Sequence, residues 1–240
     1  MALKDILVHL DGSKQAAGRL RLAANLARRH GAHLAALCVV DIELPLIASA
    51  DAGGGMAMAG IIDQMREQAL AEAAQIEAMV ADRSRMDGLS IEWRQVEGIT
   101  AEQVVLHARY ADLVVVGQHD PDGSTPQATA IVEQVLFSAG RPVLVVPYAG
   151  DHDMVGNRVL VGWKPSREAA RAVNDALGLL SKAEMATVFS VNPKNGMGAH
   201  GEEPGADIAL HLARHGIKVE VEHTAAPDAA EAGMPLHPAS

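Results

Sequence analysis

Residues 6–20 read ILVHLDGSKQAAGRL, and residues 159–173 read VLVGWKPSREAARAV. Leu7/Leu160, Val8/Val161, Ser13/Ser166, Ala16/Ala169 and Ala17/Ala170 are identical, and Lys14/Arg167 keeps its charge. The likeness continues in LAALCVVD at 34–41 against MATVFSVN at 185–192, and in LSIEW at 89–93 against IKVEV at 217–221. A sequence that repeats in this way builds one supersecondary unit twice, so the fold of the first half constrains the second. The second copy is short. After 217–221 the first copy's pattern calls for a helix, a strand, another helix and a last strand, but only Glu222–Ser240 remain. That remainder holds Pro227, Pro235 and Pro238 among alanines and acidic residues and is expected to be disordered. The expected organisation is a complete unit over 1–148, a linker over 149–156, a partial second unit over 157–223 and a tail over 224–240.

The unit itself is an alternation of short apolar runs with longer helical patterns. Ile6–Leu10, Leu34–Val40, Leu113–Val116 and Val143–Val146 are apolar throughout, as parallel strands covered on both faces are. Ser90–Val96 alternates and is expected at a sheet edge. Between the runs, Ser13 is the expected N-cap of a helix ending at Gly31. Ile62, Met65, Ala69, Ala73, Ile76, Met79 and Val80 mark a second helix ending near Gly88. A third is expected over about Thr100–Tyr110. Thr125-Pro126 opens a fourth that ends near Gly140. Leu44–Gly60, with Pro45 and four glycines, reads as a loop, either a lid or an insertion. Strand–helix alternation of this kind gives an α/β doubly wound parallel sheet with right-handed crossovers.

Composition removes several function classes. Of 240 residues, 49% are hydrophobic, which is enough for a sizeable core. The net charge of −10 opposes a phosphate backbone, and six aromatic residues leave little to stack bases on. No nucleic-acid partner is expected. Cys38 is the single cysteine, so neither an intrachain disulfide nor a Cys-rich metal site can form. The first residues lack a signal-peptide layout, and no apolar run approaches the ~20 residues of a membrane span. A cytoplasmic protein without membrane contact is the expectation.

The opening ILVHLDGS with its Ala-rich continuation, the run LAALCVVD, the block ADLVVVG and the block RPVLVVPYAG occur in this order. Together they resemble the universal stress protein family, well over 1–148 and in part over 157–223. The resemblance implies a five-stranded parallel sheet in the order 3-2-1-4-5. It also implies dimerisation through sheet edges, and in tandem forms packing of the two copies in the same way. In the ATP-binding branch, the carboxylate matching Asp11 faces adenine or ribose and the backbone at Val39 contacts adenine. A Gly-x-x-Gly, nine residues, Gly-Ser/Thr motif cradles the phosphates there.

General physics places a ligand at the carboxyl ends of the strands, where the strand order reverses. Here that point is bounded by Asp11-Gly12-Ser13 and by Gly117 and Gln118. Phosphate oxygens need close backbone N–H groups, hence glycines, and a helix N-terminus. Gly117 fits the first motif position, but the second falls on Asp120 and the closing pair on Thr129-Ala130, or on Ala130-Ile131 if no residue is deleted. Gly123-Ser124 comes too early. Residues 117–130 contain no Lys or Arg. A carboxylate ~5 Å from a phosphate charge costs ~3 kcal/mol at an effective dielectric near 20, about two orders of magnitude in affinity. The degenerate site, Asp11, Val39, Gly117, Gln118 and Thr129, is therefore not expected to hold ATP in the usual mode. Asp11 is alternatively a turn residue at the helix start. In the second copy Lys164-Pro165 replaces Asp11-Gly12, and no phosphate loop follows.

Other constellations are weaker. His211 and His215 stand four apart on a helical pattern but lack a third metal ligand. His9 reads as a core histidine, His30 and His33 as helix-end residues, and Cys38 as a buried inert thiol. His119 lies in the altered loop. No nucleophile elbow or P-loop is present. The leading expectation is a non-catalytic stress-response protein acting by binding or homodimerisation, without a cofactor. The alternatives are an adenine-nucleotide binder with modified phosphate handling and an enzyme on the same fold.

Overall fold

The computed structural model describes residues 3–42, 54–121, 128–192 and 205–225, the side chains of 54–59 and 128–130 excepted. The chain divides into two compact units, the first Leu3–Met154 and the second from Val155 onward. In the first, β1 (Asp5–Leu10), β2 (His33–Val40), β3 (Ile91–Glu97), β4 (Leu113–Gly117) and β5 (Val143–Val146) form one parallel sheet in the order β3-β2-β1-β4-β5. The fold class is that expected, and β3 stands at the edge, where its alternating exposure fits.

Burial follows the apolar runs. In β1, Ile6–Leu10 are all buried. One face of the sheet, through Leu7, Ala35, Leu37, Val114 and Val116, packs on Val104, Val105 and Ala108 of α3 (Thr100–Ala108) and on Ile131 and Val135 of α4 (Ala128–Ser138). Each of the valine, leucine and isoleucine side chains is worth about 1.5–3 kcal/mol of burial. Helix α1 (Ala16–His30) buries Ala16, Leu20, Ala23, Ala24 and Ala27 and stops at Gly31, whose φ of 59° is the left-handed cap that glycine accepts without strain.

Helix boundaries correct three expectations. The second helix, α2 (Gly54–Asp87), begins eight residues before Ile62, so 54–60 is helix and not loop. A helix already nucleated in a packed stripe gains a hydrogen bond for each added residue. The good helix formers Met56, Ala57, Met58 and Ala59 offset glycines that each cost about 1 kcal/mol. Its inward stripe is the expected one, with Ala73, Ile76 and Val80 buried. The rest of Leu44–Gly60, residues 44–53, lies outside the described residues.

Ser13 is not the N-cap of α1. Gln15 holds that position without a side-chain capping bond, because the Ser13 hydroxyl donates to Asp11. Helix α3 ends at Ala108, two residues earlier than expected, and its Thr100 N–H and hydroxyl donate to Asp41 at 2.8 Å. Thr125-Pro126 lies outside the described residues, although α4 ends near Gly140 as expected.

The second unit holds β6 (Arg158–Gly162), α5 (Arg167–Leu180), β7 (Met185–Val191), α6 (Ala206–Arg214) and β8 (Val219–Thr224). Its parallel strands run β6-β7-β8, with β6 at an edge, and Val173, Leu177, Leu180, Val188 and Leu212 form its core. Ser166, which matches Ser13 in the repeat, does cap its helix, accepting from the Ala169 N–H at 3.2 Å. Strand β8 extends to Thr224, one residue into the expected tail, while 226–240 lies outside the described residues. No described helix is long and apolar enough to cross a membrane.

Candidate functional site

Register brings the sequence candidates to one end of the first sheet. Leu10 pairs with Cys38, and Val8 pairs with Val115, so Gly117 stands level with Leu10. One residue on, Asp11, Val39 and Gln118 emerge together where β1 and β4 diverge in chain order. Ligands gather at such a switch point. Thr129 lies in the first turn of α4, its side chain outside the description.

Asp11 is the most heavily engaged of them. Its Oδ1 accepts from the Ser13 N–H at 3.1 Å, from the Ser13 hydroxyl, and from Arg19 Nη2 at 2.8 Å. The first of these is the turn that Asp residues make with their own backbone two residues on. Burial pushes the Asp11 carboxyl up, but Arg19, His9 and the hydrogen bonds from Ser13 and Arg19 outweigh it and hold the group at about 2.

Arg19 was not among the sequence candidates. It sits on α1 with only 3% of its side chain exposed. Its Nε donates to the His9 carbonyl at 2.7 Å, and its Nη1 lies so close to Gly117 that a Cβ there would stand 2.1 Å away. The cation missing from 117–130 is thus supplied by α1. Two signals in the sequence point to it. Arg19 follows Ala16 by three and precedes Ala23 by four, on the helix's apolar stripe, where a charge is rare unless paired. It also aligns with Ala172 in the second copy.

The neighbours are tied down too. Gln15 Nε2 donates to Asp120 Oδ2 at 3.0 Å, and Gln118 Oε1 accepts from the Tyr148 N–H at 3.4 Å. Glu72, on the exposed face of α2, brings its carboxylate over Gly12, where a Cβ would stand 2.2 Å from Oε1. Nothing in the sequence pattern marks Glu72. His9 is buried, and burial followed by Arg19 pushes its imidazole down to about 4 against the opposing pull of Asp11. Burial, with the Glu72 and Asp11 carboxylates, pushes the Cys38 thiol up to about 11, far from the thiolate that reactivity requires. His211 and His215 meet edge to face at 4.8 Å, and no group of three or more metal-ligating side chains occurs among the described residues.

The family model described as the universal stress protein family matches residues 2–147, more than half of the chain. Among solved structures, a universal stress protein from Archaeoglobus fulgidus aligns with 92% of this chain and 77% of its own length, at 17% identity and a TM-score of 0.62. That likeness supports the fold over both units. A protein of the universal stress protein family from Burkholderia pseudomallei is 28% identical, aligning with 61% of this chain and 97% of its own, with a TM-score of 0.44. An Archaeoglobus fulgidus universal stress protein in complex with dAMP is 20% identical over 60% of this chain and 98% of its own, with a TM-score of 0.39. No curated protein sequence matches the chain.

Proposed function

Because the chain belongs to the universal stress protein family, we propose that it is a stress-response protein acting by binding or assembly, not by catalysis. In this reading the first unit does not hold ATP in the phosphate-cradling mode. The observation that carries it is the Arg19–Asp11 pair set against Gly117 at the end of β1 and β4. Oδ1 of the carboxylate that would face a nucleoside is engaged by Arg19 and Ser13, and the second motif glycine is replaced by Asp120, whose carboxylate accepts from Gln15. Cys38 stays a thiol and the buried His9 a neutral imidazole at neutral pH, so neither supplies a thiolate or titrates there.

The second unit is read as a partial copy of the first, with the partition 1–148, 149–156, 157–223 and 224–240 shifted at its last boundary by the strand that reaches Thr224. Strands β5 and β6 are among the four that end the two sheets, and an edge strand is a template for pairing. A homodimer through these edges is part of this reading.

Calorimetric titration of the full chain with Mg-ATP tests the reading. Binding no tighter than ~1 mM, near −4 kcal/mol, is expected. A micromolar constant would overturn it.

A further inference from the structure

A guanidinium is costly to bury unless its hydrogen bonds are met, so the partners of Arg19 state what it is there to do. It spans the switch point. Nε and Nη2 are held by the His9 carbonyl and the Asp11 carboxylate at the end of β1, and Nη1 lies against Gly117 at the end of β4. Gly117 leaves room for it, since any larger residue would push a Cβ into Nη1. In the second copy the carboxylate and the arginine are lost together: Lys164 stands for Asp11 and Ala172 for Arg19. That joint loss fits a pair whose members serve each other.

We propose that Arg19 is a latch that decides what enters the first unit's switch point. It is an internal counter-ion, seated across the ends of β1 and β4, that holds the Asp11 carboxylate and fills the space a nucleoside would take. The inference rests on the reading that this end of the sheet is the unit's ligand site. The class of ligand it excludes is the nucleoside, because a sugar hydroxyl has to compete for Asp11 with a charge-assisted bond from a buried guanidinium. Protonation does not spring the latch at neutral pH, since Asp11 remains ionised far below it. Only removal or displacement of the arginine does.

Adenosine is the probe, because it carries no phosphate and so is blind to Asp120. It is titrated calorimetrically into the full chain and into its Arg19→Ala variant, with circular dichroism and hydrogen exchange to establish that the variant is folded. The wild type is expected to show no saturable binding below about 1 mM, and Arg19→Ala to gain at least about tenfold. If Arg19→Ala does not fold, Arg19→Gln takes its place. Its shorter side chain keeps a donor for the His9 carbonyl but withdraws from Gly117, and the same gain is expected. A folded variant that gains nothing overturns the latch, and so does a wild type that binds adenosine as tightly as the variant. These outcomes are separate from the Mg-ATP result. Micromolar ATP binding by the wild type sinks the proposed function, whereas a missing gain in the variant sinks the latch alone.

Discussion

His9 is expected to make the protein acid-labile in a window set by its burial. Its imidazole is pushed down to about 4 in the folded state by burial and by Arg19. In the unfolded chain it titrates near 6.5. Between these values the unfolded state binds the extra proton, so stability rises with pH and is lost as pH falls. The loss begins near pH 6.5 and is complete near pH 4. At about 1.4 kcal/mol per unit, this single group removes about 3 kcal/mol across the window. That is a large part of the ~5–15 kcal/mol by which a domain is stable. Asp11, held at about 2, takes no part until the pH is lower still, because its contribution is lost only between 3.8 and about 2. The assay is urea unfolding of wild type and His9→Gln at pH 7 and at pH 4.5. The variant is less stable at pH 7 but has the shallower slope, so the gap between the two proteins narrows by about 2.4 kcal/mol between pH 7 and pH 4.5. Parallel slopes, or a His9 ring that titrates near 6.5 by NMR, would refute the reasoning.

Two other outcomes follow from the same structure. Gly117→Ala places a Cβ 2.1 Å from Arg19 Nη1, so it destabilises by about 1–3 kcal/mol through overpacking. In an Arg19→Ala background most of that cost disappears, and a double-mutant cycle by thermal unfolding reads the coupling; additive costs would show that the two residues do not meet. Sedimentation of the full chain gives a dimer or larger species; a monomer with β6 amides protected from exchange would remove the case for edge pairing.

The sheet was legible in the sequence because a strand buried on both faces has to be apolar throughout. The runs at β1, β2 and β4 admit few other readings, and the alternation in β3 marks an edge, whereas β5 is apolar throughout yet half-buried at the other edge. Helix ends were harder to read. Glycines at 54, 55 and 60 argue locally against helix, but packing further along α2 carries the helix through them. Ser13 and Ser166 occupy the same place in the repeat, yet only Ser166 caps its helix. The difference is Asp11, whose carboxylate draws the Ser13 hydroxyl away, where Lys164 leaves Ser166 free to cap.

The site was half visible. Asp11, Val39, Gly117 and Gln118 do converge, because parallel strands of equal register end together. Arg19 stayed hidden because loop motifs draw attention to 117–130, whereas the cation arrives from a helix distant in sequence. The Glu72 carboxylate over Gly12 depends on how α2 lies against the sheet, which no local pattern encodes.

The most direct measurement is a nitrogen–proton correlation spectrum of the full chain during titration with Mg-ATP, following the Arg19 Nε–H and the Gly12 and Gly117 amides. A protected Arg19 Nε–H signal, bonded to the His9 carbonyl, and no saturable shift of any of the three below about 1 mM nucleotide are expected. Loss of the Arg19 signal with saturating shifts at Gly12 and Gly117 at micromolar nucleotide would contradict it.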